Sequence, residues 1–150
     1  MRRSALLLVL VSLVAAVAAT EASARHEPST PLDGRWKLIK ATTEELIAKG
    51  MPKALAEKLN HDIGIPAMEY HNGHFRWFDL ATGIAAAKGT FTINGNQVTF
   101  TTTWQRPGAV PQPRVIVLRW SVYRDRLTFS DIPGRQPTPP LTIKPWTRVR

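Results

Sequence analysis

Two Asn-Gly dipeptides, Asn72-Gly73 and Asn94-Gly95, each sit between runs in which apolar and polar residues alternate. Asn and Gly tolerate the positive φ of a two-residue hairpin turn, and a period of two sends successive side chains to opposite faces of a strand. Such a turn at Asn72-Gly73 pairs His71 with His74, Tyr70 with Phe75, Glu69 with Arg76 and Met68 with Trp77. Its two arms then agree: the aromatic residues and Met68 fall on one face, and the opposite charges Glu69 and Arg76 on the other. A turn at Asn94-Gly95 pairs Phe91 with Val98 and Gly89 with Phe100, so that Phe91, Ile93, Val98, Phe100, Thr102 and Trp104 share a face. A third turn at Arg124-Asp125 sets Val122 against Leu127 and Trp120 against Phe129, leaving Arg119 and Ser130 outside.

Extending this pattern predicts eight strands, near 34–40, 66–71, 74–80, 87–94, 96–104, 114–123, 126–132 and 142–149. Several short antiparallel strands, each with one apolar and one polar face, predict a mainly β domain closed as a barrel or stacked as a sandwich. Between the first two strands, Thr42 and Glu45 have capping-box spacing, and Ile47, Met51, Leu55 and Leu59 recur every four residues. Gly50 and Pro52 interrupt that stripe, which predicts two short helices meeting at Gly50-Met51. Two proline-rich segments, Gln105 to Pro113 and Pro133 to Pro140, read as stiffened connectors.

The chain of 150 residues has the length of one domain, and it carries no cysteine. That excludes disulfide staples, thiolate zinc sites and a thiol nucleophile. Residues 1–24 combine Met1-Arg2-Arg3, an apolar run from Ala5 to Ala19 and the tripeptide Ala22-Ser23-Ala24, the pattern of a secretory signal peptide cleaved after Ala24. The run is shorter than a membrane span, so no stable span is expected after cleavage. Residues 25–31 read as a flexible lead-in, and 32–150 as the folded domain of an exported, extracytoplasmic protein.

Gly34-Arg35-Trp36 resembles the G-x-W that opens the first strand of lipocalins, and Arg148 resembles the arginine that packs across that tryptophan. The helical insert resembles the lid of fatty-acid-binding proteins. Gly89-Thr90-Phe91 and Lys144-Pro145-Trp146-Thr147-Arg148 also resemble segments of small, uncharacterised exported actinobacterial proteins of lipocalin-like (calycin) type. The chain departs from ordinary lipocalins in lacking cysteines and a helix after the last strand. The resemblance implies an eight-stranded lipocalin-like barrel with a helix-turn-helix insert, and carriage or sensing of a small apolar ligand.

Other chemistries find little support in the residues. His71 and His74 are neighbours across a hairpin, but zinc needs three or four donors, and two solvated turn histidines explain the pair equally. There is no G-x-S-x-G elbow, and Gly89-Thr90 precedes a strand rather than a helix, so no phosphate loop forms. The net charge of +9 suits an anionic envelope surface, yet the basic residues are scattered and form no aromatic-basic platform for nucleic acid.

The inward faces carry more information. Tyr70, Trp77, Trp104 and Trp120 are expected to form a ligand wall beneath the helices, with Asp79 and Asp131 continuing the inward alternation near strand ends. Two readings of these carboxylates stand: side chains facing water in turns, or groups at a barrel mouth that orient the polar end of a ligand. The residues thus favour a non-enzymatic barrel that binds a small apolar or amphipathic molecule and needs no cofactor. The alternative is a filled barrel that acts as a protein-interaction module, with a hydrolytic enzyme a distant third.

Overall fold

The computed structural model describes residues 30–150, which leaves the leader and most of the lead-in outside the described residues. Its eight strands, β1 (Gly34–Leu38), β2 (Pro66–His71), β3 (His74–Asp79), β4 (Ala85–Asn94), β5 (Gln97–Gln105), β6 (Val115–Tyr123), β7 (Arg126–Asp131) and β8 (Trp146–Arg148), form one closed barrel in sequence order. Helices α1 (Thr43–Ala48) and α2 (Lys53–Asp62) follow β1, and α3 (Pro139–Thr142) precedes β8. All neighbouring strands are antiparallel, so the three tight turns gather at one end of the barrel. The three helices and both proline-rich loops gather at the other, here termed the lid end.

The first and third hairpins have the registers that the alternation predicts, from His71↔His74 to Met68↔Trp77 and from Val122↔Leu127 to Trp120↔Phe129. Asn72 (φ 49°) and Gly73 (φ 73°) both take the positive φ of the favoured hairpin turn. The second hairpin differs by two residues. Its loop is Gly95-Asn96, with Asn94↔Gln97, Ile93↔Val98 and Phe91↔Phe100, not Phe91 opposite Val98. A slip of two leaves every side chain on its own face, so the apolar pattern could not distinguish the registers; Gly95 at the first loop position (φ 58°) decides between them.

A second difference has larger consequences. Lys88 pairs with Trp104 but Gly89 pairs with Thr102, which makes Thr103 the extra residue of a β-bulge. The bulge reverses the alternation beyond Thr102, turning Trp104 outward, where it is 44% exposed. Gln105 takes the inward position, opposite the buried Ala87. Gly89 is the residue that permits this. A Cβ there would lie 2.0 Å from the Thr101 carbonyl oxygen and 2.7 Å from the Phe75 ring.

The end opposite the lid is closed where β1 meets β8. Trp36 is fully buried and is the Cα partner of Arg148, whose guanidinium lies 4.2 Å from the indole ring centre. Nη1 of Arg148 donates to the Asp33 carbonyl at 2.8 Å and Nη2 to that of Pro31 at 3.3 Å, while Trp36 Nε1 donates to the Leu32 carbonyl. The two residues that the G-x-W resemblance brings together are therefore in contact. β8 is shorter than the expected 142–149, because Pro139 and Pro140 occupy the first helical turn of α3, where their missing N–H groups cost nothing.

Candidate functional site

The lid assembles from local signals. Thr42 accepts from the Glu45 amide while the Glu45 carboxylate accepts from the Thr42 amide, so the expected capping box is complete. Gly50, at φ 93°, separates α1 from α2, and Asn60 Nδ2 donates to Thr43 Oγ1 to hold the helices side by side. Leu46, Ala56 and Leu59 are buried, whereas Ile47 is 39% exposed. The four-residue stripe does not run through both helices, because the break at Gly50 resets the helical phase. The lid is pinned to the α3–β8 link by Glu45, 2.8 Å from Lys144 Nζ.

Beneath the lid the barrel is filled by its own side chains. Tyr70, Phe91, Phe75, Phe129 and Trp146 pack around or next to Phe100 with ring centres 5.4–6.4 Å apart, mostly edge to face. Inside the barrel what remains are spaces of about 10 to 20 Å³, room for a water at most, while a cleft of about 210 Å³ opens at the lid end between Met51 and Leu55 and the two proline-rich segments. Three of these voids share one wall, Trp77: one lies toward Ala86 and Val110, one toward Leu46 and Leu59 of the lid, and one toward Phe100 and Leu141. Trp77 is 4% exposed, and its indole N–H has no acceptor among the described residues. The indole N–H therefore faces water-sized space and is free to bond a water or a ligand oxygen there.

The six residues expected to line a site do not converge. Trp77 alone lies directly under the lid. Tyr70 is buried deeper, its hydroxyl directed at Met68 Sδ and its ionisation pushed to higher pH by burial. Trp120 lies in the half of the barrel nearer the tight turns, half-buried, with its Nε1 also unpaired. Trp104 is outside the barrel, which corrects its expected inward placement; the bulge at Thr103 is the reason.

Asp79 and Asp131 do stand at the lid end, but backbone and hydroxyl donors engage both. Asp79 accepts from the amides of Ala81, Ile65 and Gly64, which ties the α2–β2 link to the β3–β4 turn. Burial opposes its ionisation, yet those three N–H groups outweigh it and hold the carboxyl below its ordinary value. Asp131 accepts from the Thr138 amide and the Thr142 hydroxyl, and so anchors α3 across the barrel mouth. Neither carboxylate is a turn side chain left to water; each fastens a lid segment to a strand end.

Away from the lid, Glu69 is bracketed by Arg35 at 2.6 Å and Arg76 at 3.2 Å; the hydrogen bond from Arg35 is the main cause of its lowered pKa. His71 and His74 are exposed cross-strand partners, and no cluster of three or more His, Asp or Glu side chains suited to a metal occurs among the described residues. No helix among them is long and apolar enough to cross a membrane.

No protein-family model and no curated protein matches the chain. Solved structures do. One is the fluorescent protein UnaG, 14% identical, with a TM-score of 0.39 over 78% of this chain and 96% of that one. Another is the REP1-NXSQ fatty acid transporter, 16% identical, with a TM-score of 0.36 over 79% of this chain and 96% of that one.

Proposed function

We propose that the chain is an exported, non-enzymatic binding protein whose barrel takes up a small apolar or amphipathic molecule at the lid end, where Trp77 meets the helices. The observation that carries this reading is the buried, unpaired Trp77 N–H at the junction of three voids. Swinging the Trp77 indole, or lifting the lid against its Glu45–Lys144 ion pair and the packing of Leu46, Ala56 and Leu59, would join those spaces into a single cavity. A ligand with an apolar body and one acceptor oxygen would fill that cavity and complete the bond that Trp77 lacks.

The test is a fluorescence titration with oleate, retinol and decylamine, repeated on Trp77→Phe, which retains an aromatic ring and loses the donor. Oleate or retinol should quench the native protein and bind Trp77→Phe about tenfold more weakly, as expected for one hydrogen bond to a buried donor. A filled barrel acting as an interaction module is favoured by the packing itself, since a ligand site normally offers about 300 Å³ or more. Absence of any response to the three probes would establish that second reading over the first.

A further inference from the structure

From Leu80 to Arg124 the chain contains five Lys and Arg residues and no Asp or Glu. This stretch forms β4, β5 and β6, so one whole side of the barrel presents cations and hydroxyls without a carboxylate. Thr90 faces Thr101 and Thr92 faces Thr99 on the outer surface of β4 and β5, and Gln97 is level with Arg119 of β6. The ladder between β5 and β6 ends at Thr101↔Val115. Past one further bond, from the Thr102 amide to the Arg114 carbonyl at 2.8 Å, lies an open groove of about 420 Å³ lined by Thr102, Thr103, Trp104, Gln105, Gln112 and Arg114.

We propose that this groove binds an acidic polysaccharide, with Trp104 as the stacking platform and Arg114 as the carboxylate partner. The reading is independent of the one made for the lumen. The bulge turns the Trp104 ring partly into solvent and sets Lys88 5.5 Å from its centre, which places an indole platform and a cation side by side at the groove. The face of a pyranose ring is a patch of C–H groups that packs flat on an indole, and its hydroxyls meet amide and threonine side chains. Gln105 points inward with its Nε2 buried, so the amide on the open side of the groove is that of Gln112. Neither Lys88 nor Arg114 meets a carboxylate there. Planar guanidinium groups pair with carboxylates in bidentate fashion, so the sugar favoured is a uronate rather than a neutral hexose. The threonine ladder continues from the groove along the barrel wall, which suits a chain rather than a single sugar. Single-stranded nucleic acid fits less well, because successive bases need a row of aromatic platforms and the groove has one.

The experiment measures binding of the whole protein to oligogalacturonate by calorimetry, with neutral dextran, anionic phospholipid vesicles and a single-stranded oligonucleotide as competing probes. Trp104→Ala should weaken oligogalacturonate binding about tenfold or more, and Arg114→Gln should abolish the preference over dextran. Arg124→Gln, the same charge change at the tight-turn end, should alter it by less than about twofold. Trp104 is exposed, so circular dichroism and the melting temperature should stay as in the native protein. Equal weakening by Arg114→Gln and Arg124→Gln, with Trp104→Ala binding as the native protein does, would reduce the effect to net charge and overturn the proposal. So would oligogalacturonate binding no tighter than dextran, or vesicles or oligonucleotide binding more tightly with the same dependence on Trp104.

Discussion

A single tryptophan, Trp36, carries more of this fold than any other residue, because it is buried completely at the seam where β1 meets both β2 and β8. Trp36→Ala removes that packing and leaves Arg148 without the ring beneath it, and should cost about 3–5 kcal/mol in a urea titration. Gly89→Ala is expected to be worse still, since the added Cβ collides with backbone rather than with a movable side-chain end. It belongs with the exceptional substitutions that cost more than about 4 kcal/mol, and loss of soluble protein on expression is the readout. Asp79 contributes to acid sensitivity, as Glu69 does. Its carboxyl is held below the value of an unfolded aspartate, so its contribution is present above the unfolded pKa and is lost as pH falls through the folded one. Urea midpoints should therefore drop on acidification below about pH 4, and Asp79→Asn should drop less steeply over the same range. At this scale the sequence was legible where a face was buried and opaque where a strand was irregular. Trp36, Tyr70, Trp77 and Phe100 followed the alternation inward, whereas Trp104 did not. The warning was Gly89, since an isolated glycine inside a strand marks a bulge or a close backbone approach.

Among the elements, the hairpins were readable because their turn chemistry is local: Asn72-Gly73 specifies its own loop, and the flanking pairs follow. The β4–β5 hairpin shows the limit of that argument, since Asn94-Gly95 and Gly95-Asn96 are both acceptable loops and the faces agree in either register. The lid shows a different limit. Its capping box and its break at Gly50 were visible, but Leu46 rather than Ile47 faces the core, because periodicity cannot be carried across a glycine hinge. Helix α3 was hidden in a proline-rich connector, although Thr138-Pro139-Pro140 is a helix opening in which two residues have φ already fixed. Removing a cap tests how independent the lid is of the barrel. Thr42→Ala should cost about 1 kcal/mol within α1. Amide exchange in residues 43–48 should accelerate severalfold while protection in the barrel strands stays unchanged, because the helices share few hydrogen bonds with the sheet.

For the whole molecule, turn chemistry, alternation and strand count predict eight antiparallel strands with a helical insert, closed as a barrel or stacked as a sandwich; the resemblance implies the barrel, and the structure has that form. The ligand site was less legible, since whether a barrel is hollow depends on the summed volume of side chains from many strands, which no local pattern reports. Residues 1–24 lie outside the described residues, and export is tested directly: mass spectrometry of protein recovered from the culture medium should find an N-terminus at Arg25. Every strand pairing of the barrel but one joins neighbours in sequence, and the exception is the contact between β1 and β8, residues 36–38 against 146–148. Until Trp146–Arg148 have been synthesised, Trp36 has only half of its enclosure, the guanidinium that covers it does not exist, and β1 and β7 are open edges. The barrel thus keeps its longest-range contact for last: β2 to β7 can pair with their neighbours as they emerge, but the ring closes only when residues 146–148 reach β1.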